Sequence, residues 1–275
     1  MTTLRSLLLQ LDATPASVAR LEFARRVALR HQAALCAMFV GSRMEDSTRW
    51  PACEVSEILQ QQMDRDDIHR ATCLFDDALA GGAGTVRWLS SGVDAVGAFC
   101  AQALYADLLV LGQHDSSAGL VGVLTPNVVE SVLMTSGKPV LILPLAGDLG
   151  SAERNVLIGW NATPQAARAV TAALPWLRLA RRVHVLEATG SAALAHAGDL
   201  DIVQYLHLHG IVATSHPGPA APADAGHDLL SFAGAVGADL LVMGGYGHHR
   251  ARELVLGGAT RTVLKAMTLP VLMAH

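Results

Sequence analysis

Lysine is nearly missing from this chain. Only Lys138 and Lys265 occur in 275 residues, and the formal net charge is −4. A nucleic-acid binder needs a basic face, so this balance argues against that class of partner. Cysteine is scarce as well. Cys36, Cys53, Cys73 and Cys100 all fall in the first half, with no Cys-x-x-Cys spacing. That suits reduced thiols in a cytosol better than a disulfide or zinc framework. No apolar run is long enough to span a membrane, and the start, MTTLRSLLLQLDATP, lacks a small-residue cleavage pattern. Neither a membrane segment nor a signal peptide is expected. What is abundant is apolar side chain, at 51%, enough to bury the core of one large domain or two ordinary ones.

The chain nearly repeats itself. LLLQLDATPASVAR (residues 7–20) resembles VLIGWNATPQAARA (156–169), ADLLVLGQHD (106–115) resembles ADLLVMGGYG (238–247), and KPVLILP (138–144) resembles LPVLMAH (269–275). The order is kept, and one middle segment differs in length, as in a duplication. Each copy alternates short apolar strands with amphipathic helices, Thr-Pro providing an N-cap and first helical residue. Val18, Leu21 and Val27 mark the buried stripe of one such helix, and Val170, Leu174 and Leu177 that of its counterpart. Continuous apolar strands separated by helices imply a parallel sheet covered on both faces. The expected fold class is α/β, with two doubly wound domains in tandem at 1–147 and 150–275, joined by the linker 145–153. The variable segment 42–80 is expected to be a loop followed by a longer helix.

The stretch GGYGHHRARELVLGGAT (244–260) follows an apolar strand and runs into a helix. Gly244 and Gly247 would let the loop turn sharply and bring its amides toward a ligand. Gly257 and Gly258 open a helix whose first N–H groups have no internal partner, a natural place for phosphate. Ligands in doubly wound sheets sit beyond the carboxyl ends of the strands, where the strand order reverses.

With Gly244, Gly247 and Gly257 spaced as Gly-x2-Gly-x9-Gly, the chain resembles the universal stress protein family, essentially throughout and twice. The resemblance implies a Rossmann-like fold with a five-stranded parallel sheet in each half. It also implies a site for ATP or a related adenine nucleotide, alone or with magnesium. Met243, Gly244, Tyr246, Gly247, Gly257, Gly258, Ala259 and Thr260 would line that site. An acidic residue after the first strand meets the adenosine in nucleotide-binding members; here the position holds Asn161 in the second copy and Asp12 in the first. Gly258 stands where a Ser or Thr is usual. Family members often pair through the last strand, which implies an internal pseudo-dimer and allows a homodimer.

The first copy keeps Gly112, but Asp115 replaces the second glycine and Thr125-Pro126-Asn127 replaces the glycine-led helix start. A carboxylate repels phosphate and proline removes a donor amide, so this copy is expected to have lost its site. Asp12 and Asn161 could equally cap the next turn. His207, His209, His216 and His227 read as separate histidines rather than a metal set, and Trp88, Trp160 and Trp176 as packing residues. No P-loop, nucleophile elbow or nucleophile–base set is present, so hydrolysis is expected to be slow or absent. A regulatory or stress-survival role in the cytoplasm is the leading expectation. The rivals are an interaction scaffold that binds no nucleotide and an enzyme acting on a nucleotide.

Overall fold

The computed structural model describes residues 4–40, 62, 65–76, 86–89, 95–114, 128–146, 149, 154–188, 200–218, 224–246 and 258–275. The chain divides into two compact units, Leu4–Ser136 and Gly137–His275.

The first unit contains β1 (Ser6–Leu11), α1 (Ala16–His31), β2 (Ala34–Phe39), helical residues 65–76 (α2), β3 (Val86–Leu89), α3 (Ala95–Ala103), β4 (Leu108–Gly112) and α4 (Val128–Thr135). Its strands pair in parallel in the order β3-β2-β1-β4. The order reverses between β1 and β4, the topological switch at which such sheets bind ligands.

The second unit contains β5 (Val140–Leu143), β6 (Asn155–Trp160), α5 (Pro164–Leu177), β7 (Arg182–Glu187), α6 (Ile202–Leu208), β8 (Ala213–Pro217), α7 (Ala225–Val236), β9 (Leu240–Gly244), α8 (Gly258–Ala266) and β10 (Val271–Ala274). Five strands run parallel in the order β10-β9-β6-β7-β8, and β5 adds antiparallel to β10 through Val271 opposite Ile142. Its switch lies between β6 and β9. The α/β expectation therefore holds, with one refinement. The strand β5 closes the first sequence copy but belongs to the second compact unit.

The central strands are unbroken apolar runs because both faces are covered. Leu108 to Leu111 in β4, Val156 to Ile158 in β6 and Leu240 to Val242 in β9 are all essentially inaccessible. In α1, Leu21 and Val27 are buried but Val18 is only half-buried; Val170, Leu174 and Leu177 of α5 are all buried. Trp176 is buried too, whereas Trp88 is half-buried and packs on Phe75 at 4.9 Å between ring centroids. The longer helix expected in the variable segment is represented by α2, while 41–61 and 77–80 lie outside the described residues.

The repeated Ala-Asp-Leu-Leu-Val has a structural cause. Asp107 Oδ2 accepts from the backbone N–H groups of Arg5 (2.8 Å) and Ser6 (2.9 Å). Asp239 likewise accepts from Arg154 (2.9 Å) and Asn155 (3.1 Å). One carboxylate thus ties the start of the first strand to the start of the fourth in each copy. Charge-assisted bonds of this kind are the stronger ones.

Leu157 is fully buried at the centre of β6, so Leu157→Ala should lower unfolding free energy by about 2–5 kcal/mol, measured by urea denaturation. A loss below ~1 kcal/mol would contradict the packing described.

Candidate functional site

In the second unit, β6 ends in Trp160 and the chain turns through Asn161 and Ala162 into Thr163, the N-cap of α5. The Thr163 hydroxyl accepts from Ala166 N–H (3.3 Å) and donates to Asn161 Oδ1 (2.7 Å), with Pro164 starting the helix. Ala162 takes a left-handed φ of 51°, so the turn is tight. Across the switch, β9 ends at Gly244. A Cβ there would lie 2.6 Å from Ala166 N and 2.9 Å from the Gln165 carbonyl carbon. Glycine is required because the first turn of α5 presses against the strand end.

The chain beyond β9 is anchored on two sides. Gly245 N–H donates to Ala274 O at 2.9 Å. Tyr246, also left-handed at φ 48°, donates its N–H to Thr260 Oγ1 at 3.3 Å. Thr260 is buried in the first turn of α8, so its hydroxyl clasps the loop start to the helix start. Met243, Gly244, Tyr246, Gly258, Ala259 and Thr260 are thereby gathered at one end of the sheet, with Asn161 at the end of β6. Gly247, Gly257 and residues 248–256 lie outside the described residues. Gly258 needs glycine neither for its φ nor for packing, since a Cβ there would meet nothing within 4 Å.

Gln165 was not singled out by sequence reasoning, being an ordinary polar residue in a first helical turn. It is 3% exposed, its Cβ lies beside Gly244, and its Oε1 has no hydrogen-bond partner among the described residues. A buried acceptor left unpaired costs about 1–3 kcal/mol and calls for an explanation.

The first unit treats the same place differently. Asp12 and Arg20 are each 3% exposed and form an ion pair at 3.2 Å. Arg20 Nη1 also donates to Gln10 O (3.1 Å) and to Gln10 Oε1, which accepts from Gly112 N–H at 3.3 Å as well. A Cβ on Gly112 would collide with the Arg20 guanidinium. The protein's own side chain therefore fills the crevice beside the end of β4. Asp12 is committed to this network: it accepts from Thr14 N–H (2.9 Å), the Thr14 hydroxyl and Ser17 Oγ (2.8 Å). Thr14 consequently does not cap α1, which starts at Ala16 with no side-chain cap. At the matched positions of the second copy stand Gly159, Asn161, Ala166 and Ala169 for Gln10, Asp12, Ser17 and Arg20, so nothing there can rebuild the ion pair. Asp115 and 125–127, the basis for expecting a lost site in this copy, lie outside the described residues.

The histidines are dispersed. His207 is on α6, His209 packs on Tyr205, His216 bonds His184 on the neighbouring strand at 3.0 Å, and His227 pairs with Asp224. Among the described residues no three metal-ligating side chains come together.

Burial alone would raise the Asp12 carboxyl, but Arg20 and the bonds from Thr14 and Ser17 outweigh it and hold it below its usual 3.8. A lowered folded pKa means the stabilisation is complete above about pH 3.8 and is lost as the pH falls through the lower folded value. Asp12→Asn should cost about 3–5 kcal/mol near neutrality by stranding Arg20. The gap to wild type should close below pH 3.8 in chemical denaturation. A gap independent of pH would contradict the ion pair.

No protein-family model matches the sequence, and no curated protein matches it significantly. Solved structures do. A universal stress protein from Archaeoglobus fulgidus DSM 4304 aligns with a TM-score of 0.67 at 17% identity, covering 100% of this chain and 99% of that one. A functionally unknown protein from Pseudomonas aeruginosa PAO1 aligns with a TM-score of 0.56 at 16% identity, covering 98% and 92%. Over its whole length, the chain has the universal stress protein fold.

Proposed function

We propose that this chain is a cytoplasmic stress-response protein with one nucleotide site, in the second of two domains spanning 1–147 and 150–275. Its ligand is ATP or a related adenine nucleotide, alone or with magnesium. The observation that carries the reading is the contrast at the two switch points. A guanidinium fills one; at the other the matched positions hold Gly159, Asn161, Ala166 and Ala169, Leu229 abuts Gly159, and the buried acceptor Gln165 Oε1 has no partner among the described residues.

The residues present suit such a ligand. Gly258 leaves open space at the start of α8, where free helical N–H groups and the positive end of the helix dipole favour phosphate. Tyr246 and Thr260 hold that start against the end of β9. Asn161 gives one amide oxygen to Thr163 and keeps its NH2 as a donor toward a ribose or base. Gly247, Gly257 and Ala259 complete the set assigned to the phosphates. Bound nucleotide supplies the anion and the base; the chain supplies main-chain donors, orientation and shelter from water.

Hydrolysis by this site is slow or absent. Lys265 sits in the last turn of α8, remote from the helix start, and Gly258 carries no hydroxyl to hold a metal. Nucleotide then acts by changing conformation or partners. The antiparallel pairing of β5 with β10 supports an internal pseudo-dimer of the two copies.

The test is to transplant the plug. Asn161→Asp/Ala166→Ser/Ala169→Arg places in the second unit the counterparts of Asp12, Ser17 and Arg20, with Gly159 kept because a Cβ there would lie 2.8 Å from Leu229 Cδ2. Calorimetric titration with ATP should show binding to wild type and at least about a tenfold loss in the triple variant, a tenfold change being 1.4 kcal/mol. Gly247→Asp, copying Asp115, should weaken binding likewise. A well-folded triple variant that binds ATP as wild type does would refute the site.

A further inference from the structure

A cavity of about 440 Å³ opens between α5 and α6 at the carboxyl ends of β6 and β7. Its walls include Trp160, Val170, Ile202 and Tyr205, with the carboxylates of Glu187 and Asp201 at its polar side. That volume falls within the roughly 300–1,000 Å³ usual for small-molecule sites, as does an apolar lining with a few placed polar groups. None of Met243, Gly244, Tyr246 or Thr260 lines it, so it is distinct from the crevice beyond β9 and does not rest on the nucleotide reading.

We propose that this cavity binds a small organic cation with a flat apolar body, such as an aromatic amine. Three observations point to that class. The charged side chains on the wall, Glu187 and Asp201, are both acidic, and no lysine or arginine is among the described residues that line it. Among the described residues, Ser215 Oγ donates to Glu187 Oε1, and Gln204 N–H donates to Asp201 Oδ1 at 2.7 Å as the N-cap bond of α6, so neither carboxylate has a cation as its hydrogen-bond partner. A carboxylate facing an apolar cavity is better placed with a cation beside it.

Second, the aromatic wall is pre-set. The Tyr205 hydroxyl meets Thr171 Oγ1 at 3.3 Å, and the His209 ring packs edge-on at 4.7 Å between centroids. Trp160, at the end of β6, presents the other large ring. Cations favour such ring faces, most of all tryptophan and tyrosine. Third, Leu200 and Leu208 on the rim are 70% and 74% exposed. Apolar side chains of that size, left in water beside an apolar cavity, gain from a ligand that covers them.

The experiment compares three probes of one shape and different charge: phenethylammonium, 2-phenylethanol and phenylacetate. Each is titrated calorimetrically into the full chain near neutral pH. Phenethylammonium should bind at least about tenfold more tightly than the other two, the scale of a charged contact with cation–π support. Glu187→Gln should erase most of that preference while leaving the melting temperature close to wild type. Ala167→Phe, a substitution at an exposed helical position on the cavity wall, should block all binding by filling the space. Equal affinity for the three probes, no measurable phenethylammonium binding, or binding unchanged in both variants would each overturn the proposal.

Discussion

The buried ion pair between Arg20 and Asp12 occupies the switch point of the first unit, and the matched residues of the second cannot form it. Two charges removed from water stay in place only when each is fully satisfied. Here Gln10, Thr14 and Ser17 supply the remaining bonds. The result is a switch point that is already occupied. In the second copy, glycine and alanine replace the long partners, α5 presses its first turn against Gly244, and among the described residues no cation takes the place of Arg20. On the proposed reading, one sequence copy thus has its switch point filled by Arg20 and the other leaves that place to a ligand.

Much of the architecture was legible in the sequence. Strands buried on both faces read as unbroken apolar runs, which is why Leu108–Gly112 and Leu240–Gly244 stand out. The Thr163-Pro164 cap is equally local, because its bonds reach only two or three residues. Its twin at Thr14 misled for a physical reason. A charged acceptor two residues away, itself held by Arg20, outcompetes the neutral N-cap geometry, and Thr14 turns to Asp12 instead.

What was not legible depends on distance along the chain. Asp107 is recognisable as repeated, but its partners lie 101 and 102 residues away. Arg20 and Asp12 stand eight residues apart, and only the turn from β1 into α1 brings their side chains together. Gln165 reads as one more polar residue in a first turn, and only its burial against Gly244 marks it. Trp160 reads as core, yet it is half-buried and walls a cavity. Of the glycine-rich stretch the structure describes the two flanks, where the Thr260 hydroxyl accepts from the Tyr246 amide, a contact 14 residues apart that spacing does not reveal.

The account makes the two ends of the chain unequal, and stoichiometry measures that inequality most directly. Calorimetric titration of the intact wild-type chain with ATP should give one site per chain. Two equivalent sites would mean that the Arg20 plug yields to ligand, and no site at all would mean that the glycine-rich end is structural; either result contradicts the account.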